Sequence, residues 1–301
     1  MRCLFHCITG GCLLLLCVCS RQVPETSGQL TVFVSIPPQK YFAERLCSGF
    51  CEVKTLIPAG ASPHTYEPKP SQMAELSKAR LYFSVGVEME KAWLPRLQKI
   101  NRQLRVVATD SGIEKRRMSA RVEDVQDEGN GINGHQGYEH YEEDPHIWLS
   151  PALVKHQAAV MARALMTIDT LHRGVYSDRL TAFRREIDSL DERIAAKFDR
   201  CNNVKSFLVF HPSWGYFADA FSLRQLAIEV EGREPGIREM GTIVERAKKE
   251  ECGVILVQPQ FSRRIAEKIA AHIGATVAVA DPLAENWSEN LTAVAEVLCR
   301  Q

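Results

Sequence analysis

The sequence has no excess of either charge: 37 Lys and Arg are matched by 37 Asp and Glu, giving a formal net charge of zero. That balance argues against a nucleic-acid binder, which carries a basic surplus or patch. Long apolar runs are missing except at the very start of the chain. There is no Cys-x2-Cys spacing, which removes a four-cysteine zinc site. There is no His-Glu-x-x-His either, which removes the usual zinc-hydrolase helix. What is present is an ordinary globular balance of 45% hydrophobic and 25% charged residues, so disordered and fibrous chains are set aside. The 301 residues suffice for one large domain or two of about 140 residues each.

The one apolar run lies in residues 1–19, with Arg2 as a minimal positive start and Leu13 to Leu16 at its centre. It is shorter than a spanning helix and reads as an export leader. Leu16-Cys17-Val18-Cys19 resembles a loose bacterial lipobox, whose Cys becomes a lipidated N-terminus. Val18 is larger than the usual Gly or Ala, so cleavage, lipidation at Cys19 and an uncleaved anchor all stay open. The expected location is the periplasmic or cell-surface side of a bacterial inner membrane, with membrane association only through the leader or its lipid. Cys3, Cys7, Cys12, Cys17 and Cys19 belong to this segment; Cys47, Cys51, Cys201, Cys252 and Cys299 remain. In an exported protein pairing is expected, with one thiol left over. Cys47 and Cys51 bracket a short turn, Cys252 and Cys299 flank the last helical stretch, and either pair could bridge.

Behind a polar spacer at 20–29, β-branched runs alternate with helical stretches. Strands are expected near 30–36, 52–57, 81–85 and 104–108, and again near 207–210, 225–230, 253–257 and 275–280. Such alternation implies parallel βαβ units. The expected fold is α/β with two lobes, each a four-stranded, mainly parallel sheet flanked by helices, joined by a long backbone helix. The N-terminal lobe covers 30–172, the linking helix 173–200 and the C-terminal lobe 201–301. Ser150-Pro151 signals a helix start; the helix runs to about Leu171, where Arg173-Gly174 interrupts it. It resumes with Leu180, Phe183, Ile187, Leu190 and Ile194 at helical spacing. Residues 114–143 are rich in Glu, Asp, Gly and Asn, read as a flexible acidic loop, and hold His135 and His140. Arg116-Arg117 reads as a solvated charged face.

Four residues share an unusual setting. His64 lies in the rigid Pro/Gly loop after the second strand, His211 directly follows the fifth, and Asp281 follows the last. His146 stands on the connection between the halves. Open α/β sheets bind ligands beyond the carboxyl ends of their strands, so three imidazoles and a carboxylate can meet between the lobes. Zn2+ accepts that donor set at about 2.0–2.2 Å in tetrahedral geometry. Pro63, Pro145, Pro212 and Pro282 adjoin the four positions and stiffen their backbone. Taken singly, each is a common hydrogen-bonded loop residue; the placement in both halves is what draws them together. His156, His172 and His272 lie within helical patterns and read as structural.

These segments resemble a known family. Gly60-Ala-Ser-Pro-His-Thr-Tyr-Glu-Pro, Asp144-Pro-His-Ile-Trp-Leu-Ser-Pro, Glu231-Gly-Arg-Glu-Pro, Pro259-Gln-Phe261 and Asp281-Pro-Leu together are similar to the metal-binding substrate-binding proteins of bacterial ABC importers, the zinc and manganese group. The resemblance covers about 30 to 301. It implies that His64, His146 and His211 are the main ligands, with Asp281 as the fourth. It also implies a C-terminal-lobe disulfide between Cys252 and Cys299. Manganese-type members carry a carboxylate at the third position, and His211 there points to zinc, because imidazole favours zinc over manganese. The acidic loop resembles the His-rich loop of zinc-type members but is short and poor in His.

The implied function is capture without chemistry: a monomeric zinc-binding component that delivers the ion to a membrane permease. Four protein ligands leave no open coordination position for catalysis. Broader Mn2+, Zn2+ or Fe2+ use, or a surface adhesin on the same scaffold, are the alternatives. A secreted zinc hydrolase would need a vacant metal position and a base such as Glu67, and no motif supplies them.

Overall fold

The computed structural model describes residues 29–118, 143–201, 204–230 and 232–300. The leader, its Cys19, most of the spacer, and the acidic stretch with His135 and His140 lie outside the described residues. In the N-terminal lobe β1 (Leu30–Val34), α1 (Pro37–Cys47), β2 (Cys51–Thr55), α2 (Pro70–Leu76), β3 (Leu81–Ser84), α3 (Glu88–Ile100) and β4 (Arg105–Ala108) follow one another. The strands lie in the order β2-β1-β3-β4. Pro37-Pro38 do two jobs: they end the extended run and begin α1, where a missing N–H costs nothing.

Two backbone helices come next. α4 (Pro151–Ile168) is capped by Ser150, whose hydroxyl accepts the Leu153 N–H at 3.5 Å. α5 (Arg173–Arg200) is about 42 Å long at 1.5 Å per residue. The break between them falls at Asp169, earlier than the expected Arg173-Gly174. The Asp169 carboxylate accepts the Tyr176 hydroxyl at 2.6 Å and the His172 ring N–H at 2.7 Å, bonds that favour a turn over continued helix. Gly174 then sits inside the first turn of α5.

The C-terminal lobe repeats the plan with β5 (Ser206–Val209), α6 (Gly215–Ala220), β6 (Arg224–Ala227), α7 (Ile237–Lys249), β7 (Val254–Val257), α8 (Arg263–Ile273), β8 (Thr276–Val279) and α9 (Trp287–Leu298). Its strand order is β6-β5-β7-β8. Every strand pairing among the described residues is parallel, in both sheets. Helical crossovers enforce this, and they explain why β3, β5 and β7 are buried along their whole length. In each sheet the order reverses beside the first strand, which opens a crevice at the carboxyl ends.

One apolar core runs through both lobes. It joins the first sheet, α4, α5, α9 and one face of the second sheet. Trp148 and Trp287, each 1% exposed, bind the halves together. The Trp148 indole N–H donates to the Pro282 carbonyl at 2.6 Å, and the Trp287 indole N–H donates to the Trp148 carbonyl at 2.7 Å. Trp287 also meets Phe42 edge to face at 5.2 Å between centroids. A smaller core of Ile243, Ile265 and Ile269 covers the other face of the second sheet.

The implied Cys252–Cys299 pairing is corrected: Cys299 is bonded to Cys201, with their Cα atoms 5.5 Å apart. The ends of α5 and α9 converge there, as the Lys197–Glu296 ion pair at 3.3 Å also shows. Cys252 instead packs as a free thiol into the smaller core, on the far face of the sheet. Cys47 and Cys51 are buried free thiols that hydrogen-bond to each other. Among the described residues no helix is long and apolar enough to cross a membrane.

Candidate metal centre

The three histidines singled out above meet in the cleft between the lobes. The His64 and His211 rings are 5.2 Å apart between centroids, and those of His146 and His211 are 5.3 Å apart. Two imidazoles bound to one ion at about 2.0 Å in tetrahedral geometry have centroids roughly 5 Å apart. As they stand, their donor atoms do not form a group that could hold a metal ion among the described residues. His211 stands at ligating separation from each of the other two rings, beside a cavity of about 40 Å3, room for an ion or very few waters.

Each ring is positioned by its element. His211 leaves the end of β5, where Gln258 brackets it: the His211 N–H donates to Gln258 Oε1 at 3.3 Å, and Gln258 Nε2 returns a bond to the His211 carbonyl at 2.7 Å. Its Nδ1 lies 2.7 Å from Glu229 Oε1, at the end of β6. His146 opens a short turn before α4, and Asp144 Oδ1 accepts both its backbone N–H at 2.9 Å and its Nδ1–H at 2.7 Å. Carboxylates that engage Nδ1 fix the tautomer, leave Nε2 as the free donor, and raise its basicity. His211 Nε2 is buried with no hydrogen-bond partner. A buried polar atom left unpaired is costly unless something else uses it.

Burial pushes His146 below the ordinary imidazole range, against the pull of Asp144. His64 keeps solvent contact at the cleft mouth, yet the protein around its ring pushes it down to about 4, with repulsion from His211 and His146 adding to the effect. Neutral imidazole is the form that binds a metal.

Asp281 sits just beyond β8, next to Pro282 on the cavity wall. Its carboxylate accepts the Leu283 N–H at 2.9 Å, and burial raises its pKa in spite of that bond. The side chain is held outside the cavity lining, which the three histidines share. Glu67 is exposed, away from that lining. His156 and His272 bond to backbone carbonyls at 2.8 and 2.7 Å, and His172 bonds to Asp169, so all three serve local structure. Sequence reasoning missed Glu229, Asp144, Gln258 and Glu88, which faces the cavity from the start of α3. Gln258 carried a usable signal, since it follows a strand of the C-terminal sheet as His211 and Asp281 do.

Similarity to known proteins follows the same lines. A crystal structure of ZnuA is 38% identical, with a TM-score of 0.80, covering 90% of this chain and 98% of that one. A zinc-bound ZnuA deletion mutant gives a TM-score of 0.78 at the same identity. The high-affinity zinc uptake system protein ZnuA of Yersinia pestis is 26% identical over 272 residues, covering 86% of this chain and 85% of the relative. The zinc-binding lipoprotein AdcA of Streptococcus pneumoniae R6 is 26% identical over 287 residues, but this chain spans 56% of its length. The family model described as "ZnuA: Zinc-uptake complex component A periplasmic" matches residues 32–298. With that match running through both sheets and the cleft between them, the chain belongs to this family.

Proposed function

We propose that this chain captures Zn2+ between its lobes on the outer side of the inner membrane and delivers it to the permease of an ABC importer. His64, His146 and His211 supply three ligands. Asp281 supplies the fourth when its carboxylate turns toward the three rings. The observation that carries this reading is the convergence of the imidazoles, with Nδ1 of His146 and His211 engaged by buried carboxylates and Nε2 left for an ion. A set dominated by imidazole favours Zn2+ over Mn2+ and Fe2+. The similarity to zinc-uptake and zinc-binding proteins supports the same choice. The chain acts as a monomer, held to the membrane by lipid at Cys19 if its leader is processed as a lipobox.

The test is metal content and competitive Zn2+/Mn2+ titration of residues 20–301, beside His211→Ala. One Zn2+ per chain is expected, held far more tightly than Mn2+. The substitution is expected to weaken binding beyond the roughly 10–100-fold that a supporting residue costs. Comparable Mn2+ affinity would move the reading to broad-specificity uptake, and no stoichiometric metal would overturn it.

A further inference from the structure

Arg116 is not the solvated charge its sequence context suggested. It belongs to the N-terminal lobe's last described segment before residue 119, yet its guanidinium lies on the C-terminal lobe. Nη1 reaches Asp219 Oδ2 at 2.7 Å, and Cζ lies 5.8 Å from the centre of the Tyr216 ring. Gly215, the first residue of α6, makes the seat: a Cβ there would stand 2.5 Å from Arg116 Nη1 and 2.7 Å from Cζ. The backbone is clasped as well. The Arg116 N–H donates to the Tyr216 hydroxyl at 3.0 Å, which in turn donates to the Asp144 carbonyl at 3.0 Å. The Asp144 N–H donates back to the Arg116 carbonyl at 2.9 Å.

The same guanidinium faces Asp144, with Nε 3.7 Å from Oδ2. Asp144 is 1% exposed and spends its other oxygen on the backbone N–H and the Nδ1 of His146. A carboxylate this deep needs compensation from a nearby cation and from hydrogen bonds. We infer that Arg116 is a positioning residue of the metal site: seated on Gly215 and paired with Asp219, it steadies Asp144 and through it the orientation of His146. Metal affinity is thereby tied to how the two lobes sit against each other. This rests on the zinc-capture reading above.

The experiment compares zinc affinity and the visible spectrum of the Co2+-loaded protein for wild type, Arg116→Ala, Arg116→Lys, Gly215→Ala and the Arg116→Ala/Gly215→Ala pair. Arg116→Ala is expected to raise the zinc Kd about 10-fold, at the lower end of supporting-residue effects, and to shift the Co2+ bands. Arg116→Lys recovers part of the affinity by restoring the charge. Gly215→Ala shifts the guanidinium off its seat and is expected to give part of the same loss, adding nothing when Arg116 is already Ala, as expected for two changes acting through one contact. Wild-type affinity and an unchanged Co2+ spectrum in Arg116→Ala would overturn the inference alone. A wild type that takes up no zinc would overturn the reading beneath it.

Discussion

Glu229 and Asp144 each hold the Nδ1 side of one cavity histidine, so removing either loosens a ring without removing an imidazole. Glu229→Ala is expected to weaken zinc binding by about 10–100-fold with the fold intact, read by competitive titration beside far-UV circular dichroism. Wild-type affinity in this variant would show that His211 needs no support. Glu90 makes a separate prediction. It lies under the N-terminal sheet's crevice, 3% exposed, accepting bonds from Ser35, the Val85 N–H and the Gly86 N–H. Burial pushes its pKa up to about 7, above the ordinary 4.5, in spite of those bonds. The folded chain therefore keeps a proton that the unfolded chain has lost, and the benefit fades as pH rises from 4.5 through 7. Denaturant titrations should show wild type losing ground to Glu90→Gln across that interval, and parallel curves would refute the assignment. The histidines of the cleft were legible because His64 and His211 follow strands in both halves, and because the segments around them and His146 resemble those of a metal-binding family. Their carboxylate partners were not, because Glu229 and Asp144 become meaningful only once tertiary packing sets them against a ring.

Strands and helices were recognisable from β-branched runs alternating with helical periodicity, and the doubled parallel plan followed. What periodicity could not locate was the joint between the backbone helices. Gly174 looks like a breaker, but the carboxylate of Asp169 does the breaking through bonds to Tyr176 and His172. The cysteine partner was illegible for a similar reason. Cys252 and Cys299 both adjoin helix ends, and only the packing of α9 against α5 brings Cys201 to Cys299. This bond spans a sequence separation of 98 residues, for which loop-closure entropy gives about 4–5 kcal/mol. The Cys201→Ser/Cys299→Ser variant should lose most of that in guanidinium unfolding, whereas Cys252→Ser should not mimic it through any lost crosslink. Ser150→Ala removes the cap of α4 and should cost about 1 kcal/mol in the same assay.

The two lobes do not behave as independent bodies, since α4, α5 and α9 place their apolar faces in one core shared by both sheets. The bonds relayed from Trp287 to Trp148 and from Trp148 to Pro282 run through that core. Heat or denaturant should therefore unfold both lobes in one cooperative transition, with near-ultraviolet dichroism and far-ultraviolet dichroism changing together; two separated transitions would show that the shared core is not continuous in solution. A stiff frame of this kind also leaves little room for a wide hinge, so small-angle scattering should give nearly the same radius of gyration with and without zinc. The two-lobed outline could be read from the alternation of runs, but the shared core could not, because nothing in a local pattern tells which lobe a helix will cover.

Trp148 does more than brace the lobes. Its ring lies 5.1 Å from His146, in the wall of the cavity itself. An ion arriving at that imidazole places a divalent charge beside a rigid, water-shielded fluorophore. On the zinc-capture reading, a fluorescence trace of unlabelled protein should follow loading and unloading in real time, with the zinc-dependent change lost in Trp148→Phe.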